Sequence, residues 1–271
     1  MRAEDLSAVE TGTAYFFNIE SAGPVNPGEI SAAGGKLSYD CIVKAVDLER
    51  SGIVDALIMA PITKQALHAA GLEFSSDFEI FADCYGVNRC TAVIKCENFF
   101  RSTVVGHYAF REITSRLTTD GIINTAHTLL DIMGRFLPKE NCRIAVAALN
   151  PHAGEDGLFG DEEAVLITPA IKHLQAEGIK AQGPCPADTV FLKARNGEVE
   201  GIVYLYHDQG NIAMKAAFFG EAVLIYTGIP GHVFSVGHGS ALDIAGKGKA
   251  DPKNLILCIK TVLEMPGISR V

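Results

Sequence analysis

Several things are missing from this 271-residue chain, and each absence closes a class of function. It has no surplus of basic residues. Lys and Arg total 23 against 32 Asp and Glu, and a formal charge of -9 offers no electrostatic footprint for a nucleic-acid backbone. No charge-free apolar run approaches the roughly 18 residues of a membrane span, so no membrane partner is expected. The opening MRAEDLSAVETG shows neither a basic start before an apolar stretch nor a small-residue cleavage site, which points to the cytoplasm. The seven cysteines contain no Cys-x-x-Cys pair and are odd in number, against both a disulfide framework and a thiolate zinc site. Reduced, mostly buried thiols are expected. No GxGxxG turn follows a strand and no GxxxxGK[ST] loop occurs, so a dinucleotide would not be held by the ordinary Rossmann turn.

What the chain does have is apolar mass, 48% hydrophobic residues, enough for a sizeable core. Five short β-rich segments each run into a Gly, Pro, His or Asp cluster and then into a helical pattern, the alternation of an α/β fold. They are 53–60 (IVDALIMA), 101–105 (RSTVV), 143–150 (RIAVAALN), 201–206 (GIVYLY) and 222–227 (AVLIYT). Most are nearly continuously apolar, as strands are when a sheet is covered on both faces. Apolar spacing predicts a helix over 118–136, with Ile122, Ile123, Ala126, Leu129, Leu130, Met133 and Phe136 on one stripe. A second helix is predicted over 161–177, kinked or restarted at Thr168 and Pro169 and stopped by Gly178. A third spans 252–265, with Leu255, Leu257, Ile259 and Leu263 as buried candidates. Pro24, Pro27 and Gly23, Gly28, Gly34, Gly35 break the early segment ahead of a helix expected over 37–48.

Ligands of open α/β sheets collect beyond the carboxyl ends of strands. Three histidines stand at that place on three different strands: His107 after Val105, His152 after Asn150 and His207 after Tyr206. Neutral imidazoles brought together in this way bind a divalent ion and leave room for substrate oxygens. His68, His127 and His173 lie within helical patterns and read as surface or packing residues, while His232 and His238 sit in a Gly-rich stretch. Lys64 and Lys215 are the cations near these strand ends; Lys215 follows His207 by eight residues and would face the same site from a helix. The acids Glu155, Asp156, Asp161, Glu162 and Glu163 read as decoration of a turn and a helix N-terminus. The stretch 237–252 (GHGSALDIAGKGKADP) would let backbone approach a planar or phosphorylated ligand closely.

Four stretches, NPHAGEDGLFGDEE (150–163), GPCPADTVF (183–191), YHDQGNIAMK (206–215) and GHGSALDIAGKGKAD (237–251), resemble the 4-hydroxythreonine-4-phosphate dehydrogenase family, PdxA, of pyridoxine biosynthesis, in order and spacing from Gly28 onward. The last also looks like the coenzyme loop of isopropylmalate and isocitrate dehydrogenases. The resemblance implies a two-domain α/β fold of that dehydrogenase type, with residues 1–80 and 230–271 on the coenzyme side and 81–229 carrying most of the metal ligands. It implies a homodimer whose active site is partly shared. A divalent ion (Zn, Ni, Co, Mn or Mg) would be held by His107, His152 and His207. NAD or NADP would lie near His238, Gly239, Ser240, Ala241, Asp243 and Ala245. Lys215 and Asp208 are the implied catalytic candidates, Lys215 orienting substrate or moving a proton. The implied reaction removes hydride from a secondary alcohol of a small hydroxy acid, with the metal acidifying the hydroxyl and stabilising an enolate if a β-keto acid then loses carbon dioxide.

The chain departs from the family pattern at the substrate pocket. Where the family carries Gly-His-Thr-Glu, this chain has Ser76, Asp77, Phe78 and Glu79; its usual Asn and Arg align with Leu224 and Val233, and an Asp aligns with Gly237. An Arg–phosphate contact is charge-assisted and often bidentate, and neither apolar residue replaces it. Asp77 would repel phosphate, and is also a candidate ligand or base. Asp77, Phe78, Lys64, Leu224 and Val233 are therefore the expected substrate-binding set. Family members also begin with a first strand and a Gly-rich loop, about sixty residues in all, so the resemblance implies an N-terminally shortened fold. Two rivals follow: a family relative that oxidises cis-dihydrodiol dicarboxylates, and a non-catalytic remnant that binds metal or ligand.

Overall fold

The computed structural model describes residues 14–96, 99–217, 220–266 and 268. It is a mixed α/β protein in two compact units. One comprises the described residues up to Thr91 together with those from Tyr226 onward, and the other is Ala92–Ile225.

In chain order the first unit opens with α1 (Ala32–Arg50), β1 (Leu57–Met59), α2 (Lys64–Ala69) and α3 (Asp77–Tyr85). The Ser31 hydroxyl caps α1 by accepting from the Gly34 N–H at 3.1 Å. The helix therefore starts well before residue 37 and runs through Gly34 and Gly35, the pair expected to break it. Gly35 is required by packing: a Cβ there would lie 1.9 Å from the Ala66 carbonyl oxygen, so α1 meets α2 backbone against backbone. Only three of the residues expected over 53–60 form a strand, since Gly52 (φ +70°) closes α1 in a turn.

The second unit follows with β2 (Thr91–Cys96), β3 (Phe99–Val105), α4 (Ile113–Arg116), α5 (Thr119–Gly134), β4 (Ile144–Ala147), α6 (Thr168–Ala176), β5 (Ala181–Cys185), α7 (Val190–Arg195), β6 (Gly201–Tyr206) and α8 (His207–Ala217). Its strands lie in the order β2-β3-β6-β4-β5. β2 is antiparallel to β3, and the pairs β3·β6, β4·β6 and β4·β5 are parallel. β4 is buried throughout and β6 up to Leu205, which accounts for their continuous apolar sequences. α5 packs Ile122, Ile123, Ala126, Leu129, Ile132 and Met133 inward; Ile132 replaces Leu130 and Phe136, which are half-buried, in the expected stripe. β7 (Val223–Thr227) then carries the chain back into the first unit, where β8 (Val233–Val236) pairs in parallel with β1, Leu57 opposite Val233.

The final helix, α9 (Lys253–Glu264), turns a different face inward from the one expected. Asn254, Cys258, Thr261 and Val262 are buried, at the i, i+4, i+7, i+8 spacing of one stripe. Leu255, Ile259 and Leu263 are exposed, each near 45%. The seven cysteines are free thiols, four of them buried. No helix among the described residues is long and apolar enough to cross a membrane.

Candidate active site

Strand register brings two of the three histidines together. Val105 of β3 lies opposite Tyr206 of β6, so both strands end side by side, with His107 leaving one and His207 the other. Their ring centroids are 4.6 Å apart at an interplanar angle of 45°. His207 is the first residue of α8, and its Nδ1 lies 2.7 Å from Asp208 Oδ1. A carboxylate at Nδ1 holds the hydrogen on that nitrogen and leaves the Nε2 lone pair available.

The start of α8 is fixed from below. Arg101 of β3, 3% exposed, donates to the Tyr204 hydroxyl and, at 2.9 Å, to Asn211 Oδ1. The Asn211 amide in turn donates to the His207 carbonyl at 3.0 Å. Gly210 lets the helix backbone rest on the Tyr204 ring, where a Cβ would come within 2.5 Å. Gln209 braces two strand ends: its amide donates to the Ala148 carbonyl beyond β4, and its Oε1 accepts from the Leu205 N–H of β6, both at 2.7 Å.

His152 stands on a different kind of support. After Asn150 the chain enters a left-handed run in which His152, Ala153, Glu155 and Asp156 have φ of 52°, 58°, 41° and 55° around Gly154 at 83°. Left-handed backbone costs a non-glycine residue about 1–2 kcal/mol, so neighbouring structure must impose it. Glu163 does much of this. Its Oε1 accepts from the Leu149 and Asn150 N–H groups at 2.8 and 2.7 Å, and its Oε2 from the Asn150 amide at 2.9 Å. Glu162 takes the same amide at 2.7 Å. Glu163 does stand in the first turn of a helical element, as expected, but its side chain is turned inward and the residue is 6% exposed. Burial pushes its pKa up, but the hydrogen bonds from Asn150 and Leu149 outweigh that and leave it below the ordinary glutamate value. Two glycines of the motif are explained by the same cluster: a Cβ on Gly154 would lie 2.9 Å from Glu163 Oε2, and one on Gly160 would lie 2.5 Å from Glu162 Oε2.

His152 Nδ1 lies 2.5 Å from Glu155 Oε1, which keeps the ring over its own loop with its side chain 65% exposed. Among the described residues no three His, Cys, Asp or Glu side chains gather closely enough to hold a metal ion, so His152 does not join the His107–His207 pair at ligating distance. The chemistry of the donors nonetheless suits a divalent cation. Two imidazoles are neighbours, and both His152 and His207 carry a carboxylate at Nδ1 that frees Nε2. Lys215 sits exposed in the last turn of α8, two turns along from His207, and Asp208 is exposed beside its histidine.

The remaining candidates belong to the first unit, apart from half-buried Leu224 on β7. The loop His238–Ala245 is largely exposed: His238 Nδ1 contacts the Gly239 carbonyl at 2.9 Å, Ser240 accepts from the Thr63 hydroxyl at 3.1 Å, and Lys247 binds the Asp243 carbonyl at 2.6 Å. Ala241 adopts a left-handed φ of 47°, and a Cβ on Gly28 would sit 3.1 Å from the Leu242 carbonyl, so the loop lies close on that glycine. Lys64, the first residue of α2, is exposed. Asp77 is not poised as a free base or ligand: it opens α3 and accepts a hydrogen bond from the Tyr226 phenol, whose ring lies 5.3 Å from that of Phe78 at a tilt of 55°. Val233 is wholly buried in β8 and is a core residue rather than a pocket wall. A cavity of about 420 Å³ along α1 and β1, lined by Leu37, Cys41, Ile42, Leu57 and Phe81 among others, takes in none of these candidates.

Sequence reading missed Glu163, Gln209 and the Arg101–Tyr204–Asn211 chain. Their only sequence signal was polar residues set among apolar strand and helix positions. Compared with known proteins, residues 2–262 match the family model described as Pyridoxal phosphate biosynthetic protein PdxA. A D-threonate 4-phosphate dehydrogenase from Pectobacterium atrosepticum is 37% identical over 91% of this chain and 76% of its own length. The crystal structure of a 4-hydroxythreonine-4-phosphate dehydrogenase from Klebsiella pneumoniae is 36% identical with a TM-score of 0.78, covering 89% of this chain and 72% of that one. A terephthalate 1,2-cis-dihydrodiol dehydrogenase from Burkholderia xenovorans is 27% identical with a TM-score of 0.64, covering 90% of this chain and 78% of that one.

Proposed function

The chain belongs to the PdxA family and is a dehydrogenase acting on a CH–OH group, and from that premise we propose that it oxidises a phosphorylated hydroxy acid of the threonate type, with NAD or NADP as acceptor and a divalent ion as helper. The observation that carries this reading is the pair of imidazoles, His107 and His207, set side by side where two parallel strands end. His152, on the loop that follows β4, is the third nitrogen donor in this reading. A divalent cation held there withdraws charge from the substrate hydroxyl and makes its proton easier to remove.

The protein's own groups do the rest. Asp208 holds the His207 ring and its tautomer. Lys215 is the proton-transfer or orienting group, its charge suited to a carboxylate or phosphate on the substrate. The exposed Gly-rich loop from His238 to Ala245 provides backbone for the coenzyme, and Lys64, Asp77, Phe78 and Leu224 are proposed substrate contacts. The working form is a homodimer, and loss of carbon dioxide follows oxidation when the product is a β-keto acid.

A second reading, oxidation of a cis-dihydrodiol dicarboxylate, is favoured by one observation: Leu224, half-buried on β7, supplies no donor for a phosphate where the family has Asn. Following NADH formation from D-threonate 4-phosphate, from 4-hydroxythreonine 4-phosphate and from a cyclohexadiene cis-diol dicarboxylate, before and after EDTA, tests both. Activity on a phosphate ester that EDTA abolishes and Zn, Ni, Co, Mn or Mg restores is the expected result. Activity confined to the diol replaces the first reading with the second, and EDTA-resistant turnover removes the metal.

A further inference from the structure

We propose that Glu163 is the positioning residue for His152, acting through the backbone of residues 149 and 150 and assisted by Gln209. The inference rests on the reading that His107, His152 and His207 serve one ion.

A run of four non-glycine residues in left-handed backbone does not hold itself, and its entry has to be set by something rigid. Glu163 sets it. The carboxylate takes the last two N–H groups before the run and the Asn150 side chain, so the direction in which the chain leaves β4 is fixed by three hydrogen bonds to one group. Gly154, in the middle of the run, rests against Oε2 of the same carboxylate. Glu163 also begins a π-helical turn (Glu163–Ile167), a rare local form often kept at functional sites. A buried carboxylate without a cationic partner is costly unless its hydrogen bonds are filled, and here they are filled by the loop that carries His152.

Gln209 completes the frame. By joining the Ala148 carbonyl to the Leu205 N–H, it ties the strand end that leads to His152 to the strand end that leads to His207. The hydrogen-bond partners of the His152 and His207 Nδ1 atoms are Glu155 and Asp208, not Glu163 or Gln209. The effect of Glu163 and Gln209 on ligation must pass through the backbone.

The test uses the full chain and Co(II), read by calorimetry and by the visible absorption of the bound ion. Glu163→Gln keeps the size of the side chain but turns an amide donor toward other donors. It is expected to weaken Co(II) binding roughly 10- to 100-fold, as loss of an outer-shell partner does. In a His152→Ala background the same change should alter affinity less than about twofold, because the residue it positions is gone. An unchanged affinity for Glu163→Gln, or an equal loss in both backgrounds, overturns the proposal. Failure of the wild-type chain to take up Co(II) overturns the metal reading instead, and imidazole ¹⁵N spectra of the metal-free protein then decide the positioning role. His152 should lose its single tautomer in Glu163→Gln while His127 and His173 stay unchanged; a His152 signal that does not move rejects it. Should Glu163→Gln not fold, Gln209→Met, which loosens the same strand end without a buried charge, is expected to weaken Co(II) several-fold, and wild-type affinity there counts against the frame.

Discussion

The Tyr226 phenol donates its hydrogen bond to the Asp77 carboxylate, linking the start of α3 to the end of β7. Burial first, and then the negative charge of Asp77, raise the phenol's pKa far above the ordinary tyrosine value, so it remains a donor at every physiological pH. The substitution that sets this chain apart from the family pattern is therefore a half-buried carboxylate held by a buried phenol. Removing the phenol oxygen with Tyr226→Phe should destabilise the protein by about 1–3 kcal/mol, the worth of a hydrogen bond to a charged group. Urea unfolding measures it; a change below about 0.5 kcal/mol would mean that solvent already competes for Asp77.

Glu163 should leave a signature in acid. Its folded pKa lies below the value of about 4.3 expected in the unfolded chain, so its contribution is complete above that pH and is lost as pH falls through the folded pKa. The melting temperatures of wild type and Glu163→Gln should differ by a constant amount between pH 7 and pH 5 and converge below about pH 4. A gap that widens in acid would reverse the assigned sign.

Asp208→Asn removes the charge that holds Nδ1–H on His207. Zinc or cobalt affinity should fall about tenfold or more while NAD binding changes little, a split that calorimetry reads directly. Equal losses for both ligands would point to a damaged α8.

Gly210→Ala tests the seat of α8. The added methyl would meet the Tyr204 ring, which has little freedom because Arg101 binds its hydroxyl and the Phe191 ring packs 6.4 Å away. A loss of about 1–3 kcal/mol is expected, with the metal site weakened in parallel. Wild-type stability would show that the helix can lift without harm.

The strands that were legible in the sequence were those with uninterrupted apolar runs, above all β6, found over 201–206 as expected. β5 was hidden because AQGPC contains both Gly and Pro; it lies at the edge of its sheet, where a proline forfeits no ladder bond. β2 was hidden by Lys95 within the run, and β8 by its four-residue length. The inward face of α9 was misread because its buried stripe includes Asn254 and Thr261, while Leu255, Ile256, Ile259 and Leu263 face out and Leu257 is half-buried. At the site, the strand-end rule pointed to His107, His152 and His207, of which the His107 and His207 rings are neighbours. It had no means of seeing that Glu163 folds inward, since a carboxylate held by backbone N–H groups looks in sequence like any other acid before a helix.

The left-handed run from His152 to Asp156 has a consequence for how this segment tolerates change. Surface loops ordinarily absorb insertions and deletions, because an added residue only bulges outward. Here each residue turns the chain by about a third of a revolution, close to that of an ordinary helix but of opposite hand. One residue more or fewer would swing the imidazole to another side of the loop. The distance in sequence from Asn150 to Glu163 is thus as much a part of the site as the side chains, and this loop should resist length variation as a helix core does.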